Sequence, residues 1–275
     1  MLNIDPKQIS VNWPNARSCL EMSARAYNLG PNYSEDPVPV IVQNRATDAH
    51  ALIQKTESAI IVAFRGSCEP EDFIQDAKFE KATVIWLPWE EHAQVHRGFL
   101  EDFESLNEDI LEVVSGLRAS HSESMRDASP LPIFVTGHSL GGALAILCAL
   151  EFSRSKFNVA GVYTFGQPRV GNRAFARLYN GAPAPCSGMA GCLGDITFRV
   201  VNENDIVPRV PLPFGYRHCG TRVFLSCPSG VLINPAWYKT ADSDLRGFYH
   251  AVRKHIDVLV GDHYLKAYQK RMEKP

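Results

Sequence analysis

The chain has 275 residues, with 28 Lys and Arg against 30 Asp and Glu, a net charge of −2, 45% hydrophobic and 21% charged residues. That length can bury a sizeable core, and so apolar a chain with so little net charge is not disordered over its bulk. The near-neutral balance, with no Lys/Arg run, also argues against nucleic acid as the main partner, because phosphate binding needs a basic patch.

The first ten residues, MLNIDPKQIS, lack a basic start followed by an apolar block, so no secretory signal is read there. That fits a cytoplasmic protein, or a mature secreted form recloned behind a Met. Ala16–Leu29 has the apolar spacing of a helix (Cys19, Leu20, Met22, Ala26, Tyr27), with Gly30-Pro31 as its stop. Three β-like runs follow at Val38–Gln43, Ala49–Gln54 and Ala59–Phe64, the last apolar enough to be buried on both faces. Phe99–Leu117 carries one helical stripe of Phe99, Phe103, Leu106, Ile110 and Val113/Val114.

Ala128–Leu150 contains no charged residue and is long enough to cross a bilayer. Pro130 and Pro132 open it, however, and Gly137, His138, Ser139, Gly141 and Gly142 interrupt its centre. A buried strand Ile133–Thr136, a sharp turn and a buried helix from about Leu140 is the better reading. Val159–Phe165 and Ile196–Val201 are further core strands, Val223–Leu225 is a weaker one, and helices around Gly247–Leu259 and Tyr264–Met272 close the chain. Buried strands alternating with helices predict a single α/β domain over residues 1–275 with a mostly parallel sheet, whose ligands bind beyond the carboxyl ends of the strands.

Seven cysteines leave at least one unpaired, and none forms a C-x-x-C pair, which leaves structural zinc unsupported. Cys186/Cys192 and Cys219/Cys227 could pair in an oxidising compartment; free thiols in a reducing one is the preferred reading.

Gly137-His138-Ser139-Leu140-Gly141 is a G-x-S-x-G motif between a buried strand and an Ala/Leu-rich helix. A tight turn there lifts the serine oxygen above the sheet edge, and the helix N-terminus aims its free N–H groups at the reacting centre. A serine nucleophile needs a base and an orienting carboxylate, in the chain order Ser, acid, His. Asp205 lies just past the strand ITFRVV, with Glu203 as its nearest competitor, while Asp195 falls at the wrong edge. His218, His250, His255 and His263 all follow; His250 and His255 fall within a predicted helix, and His263 sits in the break between two. His138 reads as a packing residue under the turn, His96 and Arg97 as braces, and Arg169 as a hydrogen-bond hub.

The blocks VAFRGS (62–67), VHRGF (95–99), VTGHSLGGALA (135–145), TFGQPRVGN (164–172), NDIVPRVP (204–211) and DHYLKAY (262–268) together resemble the class 3 lipase family, the fungal-type triacylglycerol lipases with the α/β-hydrolase fold. The resemblance implies Ser139 as nucleophile, Asp205 as acid and His263 as base, with an oxyanion hole from Ser67 and the backbone N–H of Leu140. It implies no cofactor, and as partner an acylglycerol or other ester, met at a lipid–water interface. It also implies a lid helix at residues 68–79, whose four acids and small apolar face (Phe73, Ile74, Ala77) predict weak interfacial activation. The expected activity is triacylglycerol hydrolysis through an acyl-enzyme. Phospholipase A1 or feruloyl-type esterase activity on the same triad is the alternative, and a non-catalytic hydrolase-like binding protein is the reading from another class.

Overall fold

The computed structural model describes residues 11–28, 38–67, 80–84, 92–124, 130–184, 191–226, 230–235 and 261–273. Helix α1 (Trp13–Arg25) starts three residues before the expected position, because Asn12 caps it by accepting the Asn15 N–H at 3.0 Å and Pro14 suits the first turn. It ends at Arg25, short of the Gly30-Pro31 stop, and Tyr27 follows in the turn beyond it. The expected helix at 247–259 and the lid at 68–79 lie outside the described residues.

Strands β1 (Val40–Asn44), β2 (Ala49–Lys55) and β3 (Ile60–Phe64) each run antiparallel to the next. From β3 the sheet continues in parallel through β6 (Ile133–His138), β7 (Val159–Phe165), β8 (Thr197–Asn202) and β9 (Thr221–Ser226). β10 (Gly230–Ile233) adds an antiparallel edge, giving eight strands in the order β1-β2-β3-β6-β7-β8-β9-β10. A separate two-stranded ladder pairs β4 (Lys81–Thr83) with β5 (Gln94–His96). The strands expected from apolar runs are all present within a residue or two. The ladder and β10 went unread because they are short and only partly buried.

Helices cover both faces, which is why the central strands are apolar without alternation. On one face α2 (Arg97–Ser124) and α3 (Leu140–Arg154) pack on Ile60, Val62, Phe64, Ile133, Val135 and Val162, and α4 (Arg173–Gly181) adds Phe175 and Tyr179 to the same cluster. On the other, α1 and α5 (Leu265–Met272) pack on Ile61, Ala63, Phe134, Tyr163, Phe165 and Val200. Thr136 ties α1 to β6: its hydroxyl donates to the Tyr163 carbonyl at 2.7 Å and lies 3.0 Å from the Ser23 hydroxyl. No helix among the described residues is long and apolar enough to cross a membrane. Cys19, Cys148, Cys192 and Cys219 are free thiols.

The β6–α3 turn needs bare backbone. A methyl group on Gly137 would meet the Gly141 carbonyl oxygen at 2.2 Å, and one on Gly141 would meet the Phe64 carbonyl oxygen at 2.2 Å. Neither backbone can yield without moving the turn. Gly141→Ala should therefore cost about 1–3 kcal/mol or more as strain. Gly116→Ala, on α2 with open space around it, should stabilise by about 0.5–1 kcal/mol through helix propensity. Urea unfolding of the two variants checks the pair, and equal midpoints would contradict the close approach at Gly141.

Candidate active site

Ser139 caps α3 at φ +58° and ψ −129°, a left-handed conformation rare for a residue with a side chain. Parallel pairing of β6 with β3 and β7 imposes it. The chain must leave the end of β6 and enter α3 at once, and the Ser139 N–H donates to the Phe165 carbonyl at 2.9 Å. Leu140 opens α3, so its N–H belongs to the first turn that has no acceptor within the helix. The end of β3 runs alongside. A methyl group on Gly66 would lie 2.5 Å from the His138 carbonyl oxygen and 3.1 Å from the Ser139 Cβ, which puts half-buried Ser67 next to the turn.

Asp205 follows β8, and His263 precedes α5; both are fully buried. The His263 Nδ1–H donates to the Asp205 carboxylate, 3.0 Å from Oδ1 and 2.9 Å from Oδ2. The Val207 N–H donates to Oδ1 at 2.9 Å and the Tyr268 hydroxyl to Oδ2 at 2.5 Å. Burial pushes the Asp205 carboxyl up, but the His263 ring and these hydrogen bonds outweigh it and hold the group below the usual carboxylate range. Since Nδ1 carries the proton, Nε2 of neutral His263 is an acceptor. It is buried and unpartnered. A methyl group on Gly166 would meet the His263 ring at 2.7 Å and Asp205 Oδ2 at 2.9 Å, one residue from the carbonyl that holds Ser139.

The structure thus gathers Ser67, Ser139, Leu140, Asp205 and His263 at the carboxyl ends of β3, β6 and β8. Two competitors are engaged elsewhere: Glu203 pairs with Arg271 at 3.1 Å, and the His218 Nε2–H donates to the Pro208 carbonyl at 2.8 Å. His250 and His255 lie outside the described residues. His96 stacks on Phe99, with ring centroids 4.3 Å apart, and Arg97 reaches Glu80 at 3.3 Å, as braces should. Arg169 is the expected hub, donating to the Arg209 and Pro211 carbonyls. Among the described residues, no group of three or more His, Cys, Asp or Glu side chains could hold a metal ion.

Two supporting groups escaped the sequence. Tyr268 accepts the Asn202 N–H at 3.1 Å and donates to Asp205, so it ties β8 and α5 to the carboxylate; its place five residues after His263 on a helix was the available signal. His138 does more than fill space under the turn. Its Nε2 lies 2.7 Å from the His263 carbonyl oxygen, which makes it the N–H donor, so Nδ1 accepts from the Tyr27 hydroxyl at 2.9 Å. Its ring stacks on that of His263 with centroids 4.5 Å apart. Asn202 and Asn204 complete the frame through Asp262, at 2.8 and 3.1 Å.

Residues 61–215 match the family model for lipase (class 3). A lipase of Rhizomucor miehei is 31% identical over 204 residues, 71% of this chain and 50% of that protein. The secreted mono- and diacylglycerol lipase A of Penicillium cyclopium is 24% identical over 229 residues, 83% of this chain and 66% of that protein. A solved triacylglycerol lipase whose catalytic centre is a serine protease triad has a TM-score of 0.62 and 28% identity, covering 79% of this chain and 82% of that one. The chain spans half of the first curated relative and just under two thirds of the second.

Burial, then the neighbouring His263 ring, push the His138 imidazole down to about 3, from an ordinary 6.5. Between those values the unfolded chain holds a proton that the folded chain does not, so stability falls as pH falls through this window. His138→Gln should reduce the slope of unfolding free energy against pH by about 1.4 kcal/mol per pH unit between pH 6 and 4. Urea unfolding at several pH values measures it. An unchanged slope would mean that His138 is protonated in the native state.

Proposed function

The chain belongs to the class 3 lipase family, and on that premise we propose that it is a carboxylic-ester hydrolase acting on acylglycerols through an acyl-enzyme. The reading assigns Ser139 as nucleophile, His263 as base, Asp205 as the carboxylate that orients it, and Ser67 with Leu140 as the oxyanion donors. One observation carries it above the others: the His263 Nδ1–H is spent on Asp205, while Nε2 is left buried and unpartnered. A ring in that state is poised to take a hydroxyl proton.

The steps follow from the chain's own groups. His263 Nε2 removes the Ser139 proton as the oxygen attacks the ester carbonyl, and the imidazolium that forms is stabilised by Asp205. The developing oxyanion meets the N–H groups of Ser67 and Leu140, the second backed by the N-terminus of α3. His263 returns its proton to the leaving alcohol. It then activates water to release the carboxylic acid. His138 stays neutral beside it, so no second positive charge opposes the imidazolium.

Ser139 is 1% exposed, so whatever covers it must move before an ester can reach it. We assign that role to residues 68–79, as the lid of a single domain. Its four acids and small apolar face leave little to gain from lipid contact. Interfacial activation should then be weak, with tributyrin hydrolysis saturating smoothly across the solubility limit; near silence below the limit with a many-fold jump above it would contradict weak activation.

Rates with Ser139→Ala should fall by about 10⁶ in kcat and with Asp205→Asn by about 10⁴, with folding intact by circular dichroism. An active Ser139→Ala variant would refute the acyl-enzyme. A panel of p-nitrophenyl esters, a triglyceride emulsion, a phospholipid and a feruloyl ester sets the substrate class.

A further inference from the structure

Away from the candidate site, β8 and β9 set two arginines side by side. Arg199 and Arg222 are register partners in these parallel strands, so their side chains leave the sheet on the same face. Arg199 is 6% exposed. Among the described residues its guanidinium makes one hydrogen bond, from Nε–H to the Cys219 carbonyl at 2.7 Å. Its terminal amino groups carry four more N–H donors, and no acceptor meets them.

The charges around this guanidinium share its sign. After burial, Arg222 is the main force that lowers its pKa to about 9, and Arg169 adds to it against an opposing effect of the Cys219 thiol. His218 is held well below its ordinary value by burial and then by Arg199, Arg169 and Arg222. Its Nε2–H is spent on the Pro208 carbonyl, and Nδ1 is buried without a partner. Among the described residues no carboxylate faces Arg199 or His218. Arg169 reaches the Arg209 and Pro211 carbonyls. Residues 208–219 are thus attached to Arg199, Arg169 and His218 through carbonyl oxygens.

A cation this little exposed, with open donors and like-charged neighbours, gains stability from a counter-charge. We propose that Arg199, with Arg222 and Arg169 around it, holds a small inorganic anion, chloride or a tetrahedral oxyanion, beneath the loop that carries Asp205. The anion accepts from the terminal N–H groups of Arg199 and offsets the repulsion from Arg222. It also steadies residues 208–219, and through the Arg209 bond to the Asp205 carbonyl it steadies the acid's own loop. A guanidinium so little exposed admits an ion and excludes an acyl chain.

Thermal unfolding of the full chain at fixed ionic strength tests this, with sodium gluconate replaced stepwise by chloride or by phosphate. At least one of the two ions should raise Tm by about 2–4 °C along a saturating curve, and the ion that does so is the ligand. Arg199→Met should abolish the rise, and Arg222→Thr should raise the half-saturating concentration at least five-fold. If Arg199→Met does not fold, Arg222→Thr decides alone. Equal Tm in all three salts, a drift without saturation, or an unchanged curve in Arg222→Thr would overturn the site.

Discussion

The candidate site depends on how closely two backbones approach where Gly141 meets the Phe64 carbonyl. With any side chain at 141, α3 would stand off from the end of β3, and Ser139 would separate from Gly66 and Ser67. The parallel register from β3 to β6 to β7 brings these ends level, and the contact then forces Ser139 into its left-handed conformation. Such strain of order 1–3 kcal/mol persists only when the surroundings over-determine it. Here the packing of α3, buried from Gly141 to Phe152, supplies that constraint.

A second layer of the design is electrostatic. Asp205 is buried, yet it is kept charged by donors from three elements: Val207 in its own loop, His263 before α5, and Tyr268 within α5. The cost of burying the carboxylate is met by hydrogen bonds directed at the ionised form. Two imidazoles stacked 4.5 Å apart could not both be charged in so dry a place. Burial resolves the conflict by holding His138 neutral, where its Nε2–H fixes the His263 backbone.

The elements around Ser139 were legible because local and global signals agree there: an apolar strand, a glycine turn and an alanine-rich helix follow within a few residues. Asp205 was legible as the candidate acid by its place after an apolar strand, and only the structure shows that His263 meets Asp205 while Glu203 pairs with Arg271. His263 drew on the resemblance to the family as much as on its loop position. Tyr27, His138 and Tyr268 were not legible as a group. They lie 111 and 125 residues apart in their hydrogen bonds through His138, and 63 across Tyr268 and Asp205, and no local pattern encodes such contacts. Arg199 was hidden for the opposite reason. Its strand reads as core, and only the sheet register shows that a second arginine stands beside it.

The central claim is that Ser139 is made reactive by a base which Asp205 holds in one tautomer. Its most direct measurement is peptide mass spectrometry after brief treatment with a fluorophosphonate ester, comparing the native chain with His263→Ala. The account predicts one adduct, on the peptide that carries Ser139, formed rapidly in the native protein and suppressed by orders of magnitude without the histidine. An adduct on another residue, or equal labelling of Ser139 in both proteins, would contradict it.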